Sequence, residues 1–359
     1  ITLMKPQAVT PGNSAVITAG LGSPAAVIKH PTLCRTAPLN TTRYMIDYVR
    51  NQHGSNLSLV YPGEIGAGNI IIPFLVADKL SLTVLDADPS GRAMPLISDT
   101  LLAVHDVPCC PAVIAKDTSP AAPDGDPVLF ADIRTSPDEL NEQIERQLDE
   151  WKVEGVGLSL WWIQEPWSSD FLDWVNTFTI DIAVKLGQVF LNPGFGPPQK
   201  MEAARRLMAT RNKKLYNMFQ GTLISMETVQ DPNLFGVLDV NRAVFRNEET
   251  AEEFVSYGVN ENLIAFNLTT KKLQALGPDV ITFLDEEDSP VDITSIEEGK
   301  MYTVIGVEAW DNLVNDANFV ETMMRTIRAL AEWVHEKHAA DALPVTEYIP
   351  IATLQQSTQ

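Results

Sequence analysis

Residues 61–95 read YPGEIGAGNIIIPFLVADKLSLTVLDADPSGRAMP. The stretch holds a Gly-rich acidic turn at Gly63–Asn69 and a helical pattern at Ile70–Leu80. Pro73 restricts that helix to starting near Ile72, because its ring tolerates only the first helical turn. A short strand, Thr83–Leu85, then runs into the turn Asp86-Ala-Asp88. Leu57–Val60 reads as the strand before the first turn. Strand, turn, helix and strand in this order form a βαβ unit of a parallel sheet. Its two acidic turns lie one α/β unit apart, at strand ends where open sheets bind ligands.

Working outward, residues 14–20 (SAVITAG) read as a buried strand, followed by the turn GLGSP. Residues 41–53 read as a helix, with Thr41 or Thr42 as its cap and Gly54 as its stop. Ala112–Ala115 and Val128–Ala131 are further strands, and 117–126 (DTSPAAPDGD) is a loop by composition. Ser136-Pro-Asp-Glu139 carries a capping box with proline in the first turn. Leu140, Ile144, Leu148 and Trp151 follow as an apolar stripe. Val156–Leu160 reads as a strand, and Asp170–Leu186 and Met201–Lys214 read as helices. From Phe219 to Val307 the strands are short and punctuated by turns: Gly221–Ser225, Phe235–Val240, Leu263–Asn267, Val280–Leu284 and Tyr302–Val307. Phe319, Met323, Ile327, Leu330 and Val334 mark a long amphipathic helix.

The expected fold is therefore α/β plus a β-rich second domain: a mostly parallel sheet with helices on both faces, then a smaller mainly-β domain. The boundaries read from the sequence are 1–218 for the α/β domain, 219–310 for the β-rich domain and 311–359 for a C-terminal helix and tail. At 359 residues the chain exceeds most single cores.

The formal net charge of −21 argues against binding nucleic acid or an anionic membrane, both of which need a Lys/Arg surface. The longest apolar runs, such as Asn69–Ala77, are too short to span a bilayer. No signal peptide is visible, and the start at Ile1 rather than Met leaves open that residues precede it. Three cysteines, Cys34, Cys109 and Cys110, form no disulfide framework and point to a reducing, cytoplasmic setting. The partner expected is a small-molecule substrate, and a homo-oligomer is left open.

Two constellations carry chemistry. In Gly63-Glu64-Ile65-Gly66-Ala67-Gly68-Asn69, the glycines can aim backbone N–H groups at an anion or carbonyl. Glu64 supplies an acid, and the Asn69 amide can both donate and accept. The glycine order is the reverse of a dinucleotide fingerprint, so nucleotide binding stands as a minor alternative. In Asp86-Ala-Asp88-Pro-Ser-Gly91-Arg92, period-two spacing puts both carboxylates on one face. Asp86 and Asp88 could hold a divalent metal or raise one another's pKa for acid–base work, and Arg92 could clamp an anionic group. The bland reading is a turn in which Asp86 caps backbone N–H groups and Arg92 pairs with Asp88. His105 is a weaker base candidate. His30 and His53 have no partner motif. His335 and His338 are spaced for metal without an evident third ligand, and Cys109 and Cys110 read as buried thiols. Trp161, Trp162 and Trp167 read as a domain-junction seal. No G-x-S-x-G, Walker A or H-E-x-x-H motif occurs.

The stretch from Glu64 to Pro95 resembles the core of a family of unknown function later named S-methyl-thiohydantoin desulfurase. Its members are similar to segments fused to, or encoded beside, hydantoinase/oxoprolinase subunits. The family pattern is an E-x-G-G-x-N turn followed by D-x-D-x-x-G-R-A-x-P. Glu64, Gly66, Asn69, Asp86, Asp88, Gly91, Arg92, Ala93 and Pro95 match it, while Ala67 departs from a family glycine. GLGSPAAVI, Asn260-Glu-Asn-Leu263 and Pro278-Asp279-Val-Ile281 fit the same family, so the resemblance runs from about Gly20 to Val307. The family's Gly-rich N-terminal turn is missing, and the helix after Asp316 is atypical of it.

The resemblance implies a two-domain fold and chemistry on small hydantoin- or thiohydantoin-like cyclic amides. The expectation is a hydrolase with its site between the two turns, capped by the second domain. Glu64, Asp86 and Asp88 would be catalytic. Gly66, Gly68, Asn69 and Arg92 would bind substrate, and Asp86 and Asp88 a divalent metal. The rival reading is a non-catalytic subunit or ligand-binding partner of a hydantoinase/oxoprolinase-type enzyme.

Overall fold

The computed structural model describes residues 2–22, 36–164, 166, 169–231, 234, 236 and 238–356. His30, Cys34, Trp167 and most of the GLGSPAAVI segment lie outside the described residues. The chain separates into two compact units, Ile1–Asp181 and Ile182–Gln359.

The first unit is built on a mixed sheet. Among the described residues its order is β1 (Leu3–Met4), β4 (Thr83–Leu85), β3 (Leu59–Tyr61), β2 (Ala15–Gly22), β8 (Gly155–Ile163), β6 (Ala112–Ala115) and β7 (Val128–Phe130). The first four neighbours run parallel, and the pairs β2–β8, β8–β6 and β6–β7 are antiparallel. Helix α1 (Ala37–His53) links β2 to β3, and α2 (Ile72–Leu80) links β3 to β4. Both crossovers step the same way across the sheet, so right-handed connection places both helices on one face. Val16, Val60 and Val84 pack there with Met45, Val49 and Val76. Tyr61, of opposite parity to Val60, packs edge-on against Phe171.

Helix α2 begins at Ile72 with Pro73 in its first turn, as its sequence requires. Gly54 ends α1 at φ +65°, donating its N–H to the Arg50 carbonyl. The start of α1 differs from the sequence reading. The helix begins at Ala37, and Thr41 and Thr42 are buried inside it, both hydroxyls donating to the Pro38 carbonyl. The N-terminus is served instead by Asp117, whose Oδ1 accepts from the N–H groups of Thr36 and Ala37 at 2.7 and 2.9 Å. A carboxylate 80 residues along the chain took the place of a local cap.

The short helix α3 (Leu101–Val104) is capped by the Thr100 hydroxyl. Helix α4 (Pro137–Trp151) carries the capping box in full. The Ser136 hydroxyl accepts from the Glu139 N–H, and the Glu139 carboxylate accepts from the Ser136 N–H.

The single helix expected over Asp170–Leu186 is interrupted. It divides into α5 (Ser169–Asp173), a two-residue strand β9 (Asn176–Thr177) and α6 (Thr179–Phe190). Strand β9 pairs antiparallel with β5 (Ala87–Asp88), and Phe178 sits at φ +63°, a left-handed conformation that ends the segment. The cross-chain pairing outweighs the local helical pattern.

The second unit is mainly β. Among its described residues an antiparallel sheet runs in the order β14 (Lys272–Leu276), β13 (Glu261–Asn267), β12 (Glu253–Val259), β11 (Asp239–Arg246), β10 (Leu215–Gln230), β17 (Met301–Val307), β15 (Val280–Leu284), β16 (Pro290–Val291). Phe245, Phe254, Phe283 and Tyr302 fill its core. Helix α7 (Pro197–Ala209) precedes the sheet, shifted toward the N-terminus from the expected Met201–Lys214 because it starts at the Pro197-Pro198 pair. After the sheet come α8 (Asp311–Val314), α9 (Ala317–Lys337) and α10 (Ile351–Gln356). Helix α9 buries Phe319, Met323, Ile327, Leu330 and Val334, the stripe read from the sequence. Asp279 anchors the C-terminal segment. Its carboxylate accepts from the N–H groups of Ala309 and Ile351 and from the Tyr348 hydroxyl. No helix among the described residues is long and apolar enough to cross a membrane.

Candidate functional site

The two acidic turns are stitched together. The Ile65 N–H donates to the Arg92 carbonyl at 3.3 Å, and the Ser90 hydroxyl to the Gly63 carbonyl at 2.7 Å. The Met94 N–H donates to Glu64 Oε2 at 2.6 Å. The sequence signal was the spacing of the two turns across one α/β unit; the structure brings their residues into contact.

Glu64 and Asn69 brace the first turn. Asn69 Nδ2 donates to Glu64 Oε1 at 2.7 Å and to the Gly20 carbonyl at 3.1 Å, while its Oδ1 accepts from the Gly20 N–H at 2.8 Å. The Asn69 amide thus mimics a strand partner for β2. Its donor and acceptor groups are directed at the protein. Gly66 fits closely, since a Cβ there would meet Glu64 Oε1 at 2.7 Å. Gly66 and Gly68 give their carbonyls to the N–H groups of Ile70 and Ile71.

Asp86 and Asp88 turn to different partners. Asp86, buried, accepts at Oδ1 from the N–H groups of Ile180 and Asp181, at 3.0 and 3.2 Å. It therefore caps the first turn of α6, where the helix dipole favours a negative charge. Asp88, fully buried, accepts at Oδ1 from the N–H groups of Ser90 and Gly91. Its Oδ2 is buried with no hydrogen-bond partner. Among the described residues no group of three or more His, Cys, Asp or Glu side chains converges as a metal cage requires.

Burial pushes the Asp88 carboxyl up to about 7. The Thr179 hydroxyl and the N–H groups of Gly91 and Ser90 pull against that rise, and the nearby charge of Glu64 adds to it. The Thr179 hydroxyl stands near Asp88 without a properly formed hydrogen bond, and it too is buried. Burial likewise raises Glu64, opposed by the Met94 N–H, the Asn69 amide and the charge of Arg92. Arg92 is itself buried, with Nε given to the Ala93 carbonyl. The chemistry on offer is a carboxyl poised near neutral pH, with one free oxygen, inside a charged and mostly desolvated cluster.

Two residues missed from the sequence join this cluster. Asn176 stands opposite Asp88 in the β5–β9 pairing and donates through Nδ2 to the Asp88 carbonyl at 3.4 Å. Thr179 follows three residues later. Both lie in the segment read as unbroken helix, and no local motif marks either one. The Tyr61 hydroxyl is also buried and unpartnered, and burial raises its pKa.

The remaining candidates fall elsewhere. His105 stacks on Trp174, with ring centroids 5.8 Å apart. His53 packs between Tyr48 and Trp162. His338 lies 3.2 Å from Glu227, while His335 is exposed. Cys109 and Cys110 are buried free thiols.

Residues 1–121 match the family model of the S-Me-THD-like N-terminal domain. Over this part the chain is similar to that family. Both acidic turns lie within the matched residues, whereas Asn176 and Thr179 come from beyond them. The X-ray crystal structure of a protein from Chromobacterium violaceum shares the fold, with a TM-score of 0.74 at 19% identity over 98% of this chain and 87% of that one. No curated protein matches the chain.

Proposed function

We propose that the chain is a cytoplasmic hydrolase of small hydantoin- or thiohydantoin-like cyclic amides, with Asp88 as its proton-transfer group. The observation that carries this reading is the Asp88 carboxyl: fully buried, pushed up by that burial to about 7, with no backbone N–H on Oδ2. A general base works best when its pKa lies near the operating pH. The S-Me-THD-like domain supports the substrate class.

In this reading Asp88 Oδ2 takes a proton from the attacking water. The water oxygen bonds to the ring carbon that carries the amide nitrogen or a sulfur substituent. As the bond from that carbon to the nitrogen or sulfur breaks, Asp88 returns the proton to the leaving nitrogen or sulfur. The N–H groups of Gly66 and Gly68 receive the ring carbonyl, which gains negative charge as water adds. Glu64, braced by Asn69 and Met94, holds the two turns in register, and Arg92 balances its charge or a substrate anion. Asp86 fixes the start of α6.

One observation favours a second reading, a ligand-binding partner of a hydantoinase/oxoprolinase-type subunit. Glu64 and Asn69 direct their hydrogen bonds inward, as structural braces do. A ring-opening and thiol-release assay separates the two. Hydantoins, thiohydantoins and dihydropyrimidines are offered with and without Mg²⁺, Mn²⁺ or Zn²⁺, to wild type and Asp88→Asn. Turnover by wild type alone supports the hydrolase. Binding without turnover under every condition supports the partner.

A further inference from the structure

Three buried polar groups surround Asp88 with atoms left unpartnered. They are Asp88 Oδ2, Asn176 Oδ1 and the Thr179 hydroxyl. All three residues are at most 2% exposed, so water does not satisfy them from the surface. Buried polar atoms are rarely left without a full partner, and three gathered at one place mark a point that a bound group completes.

They are one cluster by construction. Asn176 is the register partner of Asp88, and its Nδ2 reaches the Asp88 carbonyl, which brings its amide to the Asp88 side. Thr179 stands close enough for its hydroxyl to act on the Asp88 carboxyl. The neighbouring carboxylate, Asp86, spends its Oδ1 on the N–H groups of the helix that Thr179 begins, which fixes Thr179 in place.

The acceptors dominate. Asn176 Oδ1 can only accept, ionised Asp88 Oδ2 can only accept, and the Thr179 hydroxyl can do either. Such a set matches a ligand edge that offers N–H donors. We propose that Asn176 and Thr179 are substrate-binding residues that receive a ring N–H beside Asp88, so that the site selects cyclic amides with an unsubstituted ring nitrogen. This rests on the ring-amide reading above and adds two residues and a selectivity to it.

The test leaves the protein intact first. Hydantoin, 2-thiohydantoin and 1,3-dimethylhydantoin are titrated into the full chain by calorimetry. The expected result is binding of the N–H rings and about tenfold or more weaker binding of the dimethyl ring, since each missing hydrogen bond leaves a buried acceptor bare. Thr179→Val is then compared. The variant, its fold confirmed by its melting curve, should bind the N–H rings about tenfold more weakly.

Equal binding of the dimethyl ring overturns the proposal, as does unchanged binding by Thr179→Val. If no ring binds wild type, both this proposal and the ring-amide reading fall. Binding with N–H selectivity but no turnover keeps the subsite and removes the hydrolase. Turnover indifferent to N-methylation does the reverse.

Discussion

Replacing Asp88 by Asn should stabilise the protein at neutral and alkaline pH while removing its activity. The Asp88 carboxyl moves from 3.8 to about 7 on folding. At about 1.36 kcal/mol per pH unit, the folded state disfavours the ionised form by about 4 kcal/mol. The sign follows from proton counting. Between about pH 4 and pH 7 the folded chain holds a proton on Asp88 that the unfolded chain has released. Stability therefore falls as pH rises through that window and levels off above about 7.

The side-chain amide of the Asp88→Asn variant carries no charge at any of these pH values, and its oxygen still accepts from Ser90 and Gly91. Its new N–H groups have ready acceptors in Asn176 Oδ1 and the Thr179 hydroxyl, both unpartnered in the native chain. The variant should exceed wild type by about 4 kcal/mol above pH 7 and converge with it near pH 4. For a unit of this size that is a melting-temperature gain on the order of 10 °C at pH 8. Denaturation of both proteins at pH 4.5, 6, 7 and 8, as approximate settings spanning the titration window, reads the gap directly. A variant less stable than wild type at pH 8, or a gap that does not change with pH, refutes the reasoning.

Other outcomes follow from the hydrogen bonds around the site. Glu64→Gln keeps one acceptor where two are needed, so either the Met94 N–H or the Asn69 amide loses its partner. The expected loss is about 1–3 kcal/mol in chemical denaturation. Asp86→Ala strips the cap from α6 and should cost about 1–2 kcal/mol, with faster hydrogen exchange at the Ile180 and Asp181 amides. Ser136→Ala breaks the capping box of α4, far from the cluster. It should cost about 1 kcal/mol and leave turnover unchanged.

What the sequence revealed, and what it hid, divides by range. Pro73 placed the start of α2, Gly54 the end of α1 and the Ser136–Glu139 pair the start of α4, because each acts on backbone within a few residues. The stripe from Phe319 to Val334 marked α9 for the same reason. The two acidic turns announced their contact because one α/β unit brings successive strand ends side by side. Asp117 capping α1 and Asp86 capping α6 join segments distant in sequence, so neither was legible. Thr41 and Thr42 have the side chains of caps, but Pro38 lets the helix begin a turn earlier. Asn176 and Thr179 were hidden by helical periodicity that continues across them. Only the pairing of Asn176–Thr177 with Ala87–Asp88 breaks that pattern, and it depends on residues about 90 positions away. The contact between the two turns was therefore legible in the sequence, while the approach of Asn176 and Thr179 became visible only in three dimensions.

The central claim is that Asp88 is the proton-transfer group of a cyclic-amide hydrolase, and its most direct test is the pH profile of kcat/KM on the best ring substrate. That profile reports the ionisation of the free enzyme's essential base. The account predicts a rise through an apparent pKa of about 7 in wild type and no measurable turnover in Asp88→Asn. A flat profile across that range, or an Asp88→Asn variant that turns over like wild type, would contradict it.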